Sequence, residues 1–140
     1  MLPNYETRLS SKSVASVPGA LPVLIVDDEA NILALLREVL EEAGFLVLTA
    51  PNGSAALALL AQTSVALVLT DLMMPTVTGL QLAQQLHSDP RTVAIPVLAM
   101  TAAALPHRPD LFAMVISKPF DLDELVRIVR RFVLLTGRIR

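Results

Sequence analysis

Five short apolar runs are spaced along the chain, and segments with apolar residues at helical intervals separate them. The runs lie at residues 23–26, 45–49, 65–70, 96–100 and 114–117. Because they are apolar nearly throughout and do not alternate with polar residues, they predict strands buried on both faces of a sheet. Strands that alternate with helices usually form parallel βαβ units. The pattern therefore predicts an α/β fold, with a five-stranded parallel sheet and helices on both sides.

Four segments with helical spacing predict the helices of this fold. The first follows the first strand and ends at Gly44, since glycine favours helix termini. The second begins at a Ser54 cap and runs to about residue 62, and the third covers residues 79–86. The last begins at Asp121, where Glu124 three residues later completes a capping-box pattern.

The last helix carries one apolar stripe that we expect to face the core: Leu122, Leu125, Val129 and Phe132. Ile128 and Leu135 fall outside this stripe. We therefore expect both side chains to be exposed and to form an apolar contact for an effector or for a second copy of the chain.

One segment interrupts the regular alternation of strands and helices. Between Thr101 and Lys118 the fold requires a crossover helix, yet Pro106 and Pro109 stand in the middle of this segment. Proline inside a helix costs about 3 kcal/mol. The fourth helix is therefore expected to be short, irregular or absent, and residues 102–112 are expected to be the most mobile element of the domain.

Composition and charge narrow the class of protein. The chain has 140 residues, 54% of them hydrophobic, which fits one globular domain. The absence of cysteine excludes disulfides and thiol catalysis and fits a reducing compartment, so a cytoplasmic location is expected. A net charge of −2 argues against direct nucleic-acid or membrane-surface binding, and no apolar run is long enough to span a membrane. Residues 1–20, with little periodicity, are expected to be flexible, and the domain is expected to cover residues 21–140.

Polar side chains follow the predicted strands at their carboxyl ends, the edge where open α/β sheets bind ligands. They are Asp27 and Asp28 after the first strand, Asp71 after the third, Thr101 after the fourth and Lys118 after the fifth. Grouped carboxylates repel one another unless a cation joins them, and Mg²⁺ prefers carboxylates, waters and phosphate oxygens. The set predicts a site for a phosphoryl group held by a metal and a lysine, where a carboxylate can accept that group covalently.

The residues around these positions resemble the receiver domain of two-component response regulators, over roughly residues 21–135. The resemblance rests on four motifs in order: Val26-Asp27-Asp28-Glu29, Asp71-Leu72-Met73-Met74-Pro75, Thr101-Ala102 and Ser117-Lys118-Pro119-Phe120. Asn52-Gly53 and Gly79 also match. The family implies a single flavodoxin-like, doubly wound sheet with the strand order 2-1-3-4-5.

The resemblance also implies a role for each residue of the site. Asp71 would be the phosphoacceptor, Thr101 would sense the phosphoryl oxygens, and Lys118 would pair with the phosphoaspartate. Mg²⁺ would be held by the following ligands: Asp27, Asp28, Asp71 and the backbone carbonyl of Met73. The bond between Lys118 and Pro119 would be cis.

The function that the family implies is a signalling switch and not a turnover enzyme. The domain would take a phosphoryl group from a histidine kinase or a histidine phosphotransfer protein onto Asp71 and would then hydrolyse it slowly. The sequence departs from the family pattern in three places: the segment from Thr101 to Lys118 is short, the Gly-Ala-Asp turn before the fifth strand is missing, and Val115 stands at the position of the aromatic switch residue. The interrupted fourth helix keeps an alternative open. The alternative is a pseudo-receiver that acts as a constitutive interaction module. A haloacid-dehalogenase-type hydrolase is disfavoured, because Met73 stands where its second acid would be.

Overall fold

Each apolar run of the sequence forms a strand in the computed structural model, which describes residues 20–102 and 108–139. The predicted flexible segment lies outside the described residues, apart from residue 20. The elements are β1 Val23–Val26, α1 Ala30–Glu42, β2 Val47–Ala50, α2 Gly53–Leu60, β3 Leu67–Asp71, α3 Gly79–Ser88, β4 Val97–Thr101, a 3₁₀ turn at Pro109–Leu111, β5 Met114–Ser117 and α4 Leu122–Ile139. The predicted helix and strand types are confirmed, with ends that differ by a few residues.

The five strands form one parallel sheet in the order β2-β1-β3-β4-β5. This is the doubly wound, flavodoxin-like order that the resemblance implied. In register, Val26 of β1 stands beside Thr70 of β3, and Thr101 of β4 stands beside Ser117 of β5. The residues that end or follow β1, β3, β4 and β5 therefore meet at one edge of the sheet.

Two apolar layers cover the sheet, as expected for strands that are buried on both faces. The central strands β1, β3 and β4 are buried at every position. On one face the helices α1 and α4 contribute buried side chains, which include Leu36, Leu40, Leu125 and Val129. On the other face α2 and α3 contribute Ala56, Leu60, Leu82 and Leu86. These layers hold the strand ends at fixed positions for the site.

The helix ends follow local hydrogen bonding. The predicted stop at Gly44 is confirmed: it has φ 103°, and the N–H of Phe45 donates to the Leu40 carbonyl at 3.1 Å, which closes a Schellman-type end. This closure holds Phe45 outside the sheet, so β2 begins at Val47. The Ser54 cap was wrong, because Asn52 caps α2 by accepting from the Ala55 N–H at 2.8 Å.

The crossover between β4 and β5 is irregular in its described part. A 3₁₀ turn covers Pro109–Leu111, and Phe112 after it is buried against the layer formed by α2 and α3. This agrees with the interruption predicted from the prolines, although residues 103–107 lie outside the described residues. The expected mobility of residues 102–112 stays a prediction.

Of the two side chains predicted to be exposed on the last helix, Leu135 is exposed and Ile128 is not. Leu135 is 50% exposed, but Ile128 is buried at 9% and belongs to the core formed with α1. Ile128 lies three residues after Leu125 and directly before Val129. The buried surface of a helix is broad enough to include such a position, because helical apolar faces commonly exceed 100° in width. The candidate contact surface on α4 is therefore reduced to Leu135 and its exposed neighbour Leu134.

Within the part of the chain that the structure describes, no helix has both the length and the apolar character needed to cross a membrane.

Candidate metal centre at the carboxyl edge of the sheet

Three carboxylates meet at the carboxyl edge of the sheet. Asp27 follows β1 directly, Asp28 comes next, and Asp71 is the last residue of β3. One ligand oxygen from each of the three lies within 4.8 Å of the others. Asp27 is fully buried and Asp71 nearly so, whereas Asp28 is exposed. The cluster is therefore anchored in the core and opens to solvent on the side of Asp28.

Lys118 supplies the positive charge of this site. Its Nζ lies 3.5 Å from Asp71 Oδ1 and 3.8 Å from Asp27 Oδ2. The backbone N–H of Lys118 donates to the Thr101 carbonyl at 2.8 Å, and the following bond to Pro119 is cis, as predicted. Thr101 itself is buried at the end of β4. One ammonium thus contacts two carboxylates of a cluster of three, and negative charge is left over.

Asp27 is the most constrained group of the cluster. Its Oδ1 accepts from the Glu29 N–H at 2.9 Å, but its buried Oδ2 has no hydrogen-bond partner among the described residues. Burial raises the pKa of this carboxyl above its ordinary value, and the negative charges of Asp71 and Asp28 raise it further. The Glu29 N–H and the Lys118 charge oppose this rise only in part.

These observations fit a hard divalent cation. An oxygen-only donor set, a buried carboxylate oxygen without a hydrogen bond and surplus negative charge are the conditions under which Mg²⁺ or a similar ion binds. The described residues thus form an acidic pocket that could hold a metal ion.

Without metal, Asp27→Asn should raise the free energy of unfolding near neutral pH by about 1 kcal/mol, a typical size for one substitution, because the neutral amide removes a buried negative charge that Asp71 and Asp28 repel. The pKa of Asp27 in the folded protein lies above the unfolded value of 3.8. The ionised carboxylate therefore lowers the free energy of unfolding of the wild type by its full amount above the folded pKa, and this effect vanishes below the unfolded pKa. The gain should therefore shrink as the pH falls towards 3.8. Urea unfolding in a chelator at several pH values measures it. A destabilised variant, or a gain independent of pH, would contradict this account.

The loop after Asp71 brings backbone groups to the site. The N–H of Met73 points to Asp71 Oδ1 at 3.5 Å, a long hydrogen bond. Leu72 and Met74 are buried on either side, while the Met73 side chain is 70% exposed. The side chains of Asp27, Asp28, Asp71 and Lys118 thus lie together, and backbone hydrogen bonds connect Met73 to Asp71 and Thr101 to Lys118.

Two features of this loop were not singled out from the sequence. Thr76 has φ 68°, an unusual conformation for a β-branched residue, and Val77 packs beside Gly53 at the start of α2. The loop has no periodicity that would indicate either feature. The presence of Gly53 was the only signal, and a glycine alone does not identify what lies next to it.

Comparison with known proteins gives the class. The model of the response regulator receiver domain family matches residues 23–130. The chain belongs to this family, and the fold and the acidic edge described above agree with that assignment.

The relatives found by sequence include both short and long proteins. The chain is 33% identical over 119 residues to an uncharacterized 14.6 kDa protein of Leptolyngbya boryana, with 81% of this chain and 91% of that protein covered. It is 37% identical over 122 residues to the DNA-binding dual master transcriptional regulator RpaA of Synechocystis sp., with 84% of this chain and 51% of RpaA covered. The chain thus spans about half the length of RpaA.

Solved structures agree in fold. The chemotaxis protein CheY4 of Vibrio cholerae superposes with a TM-score of 0.75 at 25% identity, over 81% of this chain and 99% of that one. The response regulator TrrA of Thermotoga maritima, solved in complex with Mg²⁺ and BeF, superposes with a TM-score of 0.71 at 31% identity, over 80% of this chain and 98% of that one.

Proposed function

We propose that this receiver domain accepts a phosphoryl group on Asp71 in the presence of Mg²⁺ and changes conformation in response. The observation that carries the proposal is the position of Asp71. Its carboxylate ends a buried strand, 3.5 Å from the Lys118 ammonium and within a cluster of three carboxylates. A carboxylate held in this way can attack an electrophilic phosphorus atom while cations neutralise the oxygens of the transferred group.

The residues of the site divide the work of the transfer. A carboxylate oxygen of Asp71 attacks the phosphorus of a phosphohistidine, the P–N bond breaks, and the imidazole nitrogen keeps the bonding electron pair. Lys118 compensates the charge of the phosphoryl oxygens, and the Thr101 hydroxyl offers them a hydrogen bond. Water later cleaves the acyl phosphate and restores the carboxylate. The domain is thereby a switch that resets itself and not a turnover enzyme.

The ligands that we propose for Mg²⁺ are Asp27, Asp28, Asp71 and the backbone carbonyl of Met73. When bound, the ion supplies positive charge to the transferred phosphoryl group. That TrrA was solved with Mg²⁺ and BeF supports this assignment. A bound ion would also compensate the buried charge of Asp27, whose Oδ2 lacks a hydrogen bond.

The partners follow from this chemistry. The phosphodonor is a histidine kinase or a histidine phosphotransfer protein, and we place the domain in the cytoplasm, where such donors have access to it. Leu134 and Leu135 on α4 form an exposed apolar surface for an effector or a second copy of the chain. The net charge of −2 argues against direct contact of the domain with nucleic acid or with membranes.

Intact-mass measurement tests the proposed function. The protein is treated with acetyl phosphate, a small phosphodonor, in Mg²⁺ and separately in a chelator. We expect the mass of one phosphoryl group to be added in Mg²⁺, lost on incubation with hydroxylamine, and absent in the chelator. No adduct, together with no metal binding that depends on Asp71, would favour the pseudo-receiver instead.

Asp28→Ala should weaken Mg²⁺ binding by more than about tenfold, because the ion loses one of its few carboxylate ligands. Isothermal titration of the variant and the wild type measures the change. Glu29→Gln is the matched control: it removes an exposed acid next to the site but keeps the backbone N–H that binds Asp27. Equal losses in both variants would mean that general surface charge, and not ligation by Asp28, attracts the ion.

A further inference from the structure

Residues 72–78 form the loop between β3 and α3, called the 72–78 loop below. It packs closely against Gly53 near one end and against Gly79 at the other. A Cβ atom on Gly53 would lie 2.5 Å from Val77 Cγ1, 2.7 Å from Val77 Cβ and 2.9 Å from the Val77 carbonyl oxygen. A Cβ atom on Gly79 would overlap the carbonyl oxygen of Asp71. Val77 therefore occupies the space that a side chain at position 53 would need.

The backbone just before Val77 is strained. Thr76 has φ 68°, and side chains branched at Cβ disfavour this left-handed conformation. Such strain persists only where the surroundings hold the chain in place. The contact between Val77 and Gly53 lies next to the strained residue, and on the other side Thr78 is fixed as the cap of α3 through its bonds with Gln81.

The position of the 72–78 loop bears directly on the site. The Met73 N–H faces Asp71 Oδ1 at 3.5 Å, and the Gly79 N–H donates to the Leu72 carbonyl at 3.1 Å. Because the loop is short and anchored at both ends, we expect a shift at Val77 to move the backbone of Met73 relative to the carboxylates.

We propose that Val77 and Gly53 form a latch that holds the 72–78 loop in the geometry needed for phosphoryl transfer. Val77 is a positioning residue: it touches neither the carboxylates nor the transferred group but fixes the loop that carries Met73. Gly53 is required because any side chain there would expel Val77. This inference rests on the proposed function, since it assigns the latch to that same site.

Gly53→Ala tests the latch from the side of the helix. Rotation of the Val77 side chain cannot relieve the conflict, because the Val77 Cβ and carbonyl oxygen also lie within 3 Å of the added atom. The loop must move instead. We expect binding of beryllofluoride with Mg²⁺, followed by NMR titration, to weaken about tenfold. Helix propensity alone predicts no such loss, since alanine is the better helix former.

A second substitution at Val77 distinguishes a specific contact with Gly53 from general destabilisation of the protein. Val77→Gly removes two of the three conflicting atoms, so Gly53→Ala should cost less than about threefold in that background. Val77→Gly alone should weaken beryllofluoride binding about threefold, because it removes the side chain that packs against Gly53. Ser54→Ala, an exposed change in the same helical turn, should leave binding unchanged. Gly79→Ala meets backbone atoms of Asp71 and Leu72, so Val77→Gly should not rescue it.

A second readout does not depend on ligand binding. In the protein without Mg²⁺, Gly53→Ala should shift the amide signals of Met73 and Thr76, while Ser54→Ala should not. Wild-type binding in Gly53→Ala, or the same loss with and without Val77, would overturn the latch. If the wild type binds neither Mg²⁺ nor beryllofluoride, the proposed function fails. The latch is judged separately in that case: unshifted amide signals of Met73 and Thr76 in Gly53→Ala without Mg²⁺ would overturn it.

Discussion

Asp71→Asn should abolish phosphorylation completely. Treated with acetyl phosphate and Mg²⁺, the variant should show no added phosphoryl mass under conditions that convert the wild type. The reason is chemical, because an amide oxygen is far less nucleophilic than a carboxylate and cannot form the acyl phosphate. Any adduct that persists in this variant would place the acceptor on another residue.

The same variant should remain folded, which distinguishes lost chemistry from lost structure. Asparagine has nearly the shape of aspartate, and the substitution removes one of three mutually repelling carboxylates. Its thermal midpoint should therefore equal or exceed that of the wild type. Glu29→Gln, measured alongside, should still be phosphorylated because Glu29 contributes only its backbone N–H to the site. If Asp71→Asn were unfolded, its missing phosphoryl mass would say nothing about the acceptor residue, and the expected relief of repulsion among the carboxylates would be contradicted.

Ile128→Glu should destabilise the protein by about 3–5 kcal/mol, a large part of the 5–15 kcal/mol that holds a typical domain folded. Ile128 is buried with Leu125 and Val129 between α4 and the sheet. The variant loses apolar contacts and places a carboxylate among the buried apolar side chains of that core. Urea unfolding measures the change.

Leu135→Glu is the matched substitution on the same helix. Leu135 is 50% exposed, so the change in stability should stay within about 0.5 kcal/mol. Leu135→Glu is therefore the variant with which to test the surface of Leu134 and Leu135 for binding of an effector or a second copy. A loss within about 0.5 kcal/mol for Ile128→Glu as well would mean that Ile128 is not part of the core.

The carboxyl-edge site could be foreseen from the chain to an unusual degree. Each of its acids and its lysine comes directly at or after an apolar run, and parallel strands place their carboxyl ends side by side. Asp27, Asp71 and Lys118 were therefore expected at one edge of the sheet if the runs formed one parallel sheet. The strand order 2-1-3-4-5 could not be predicted in this way, because apolar runs do not specify which strands are neighbours. It was predicted from the resemblance to receiver domains.

Prediction was weaker where the outcome depends on neighbouring elements. Ser54 and Asn52 are both good cap residues, and only the bond from the Ala55 N–H to Asn52 decides between them. Ile128 lies at the margin of an apolar stripe, and its burial depends on how α4 is rotated against the sheet. Local preferences leave such choices open, since the packing partner sets the free energy that decides them.

For this protein the sequence by itself determined the α/β class, the number of strands and the acidic edge with its lysine, because hydrophobic periodicity and strand ends are local properties of the chain. The tertiary structure alone decided how deeply Asp27 is buried, which of its oxygens lacks a hydrogen bond, and that Val77 fills the space beside Gly53 while Thr76 takes a positive φ. These features depend on atoms from separate elements brought within a few ångströms, and no local pattern encodes such a contact.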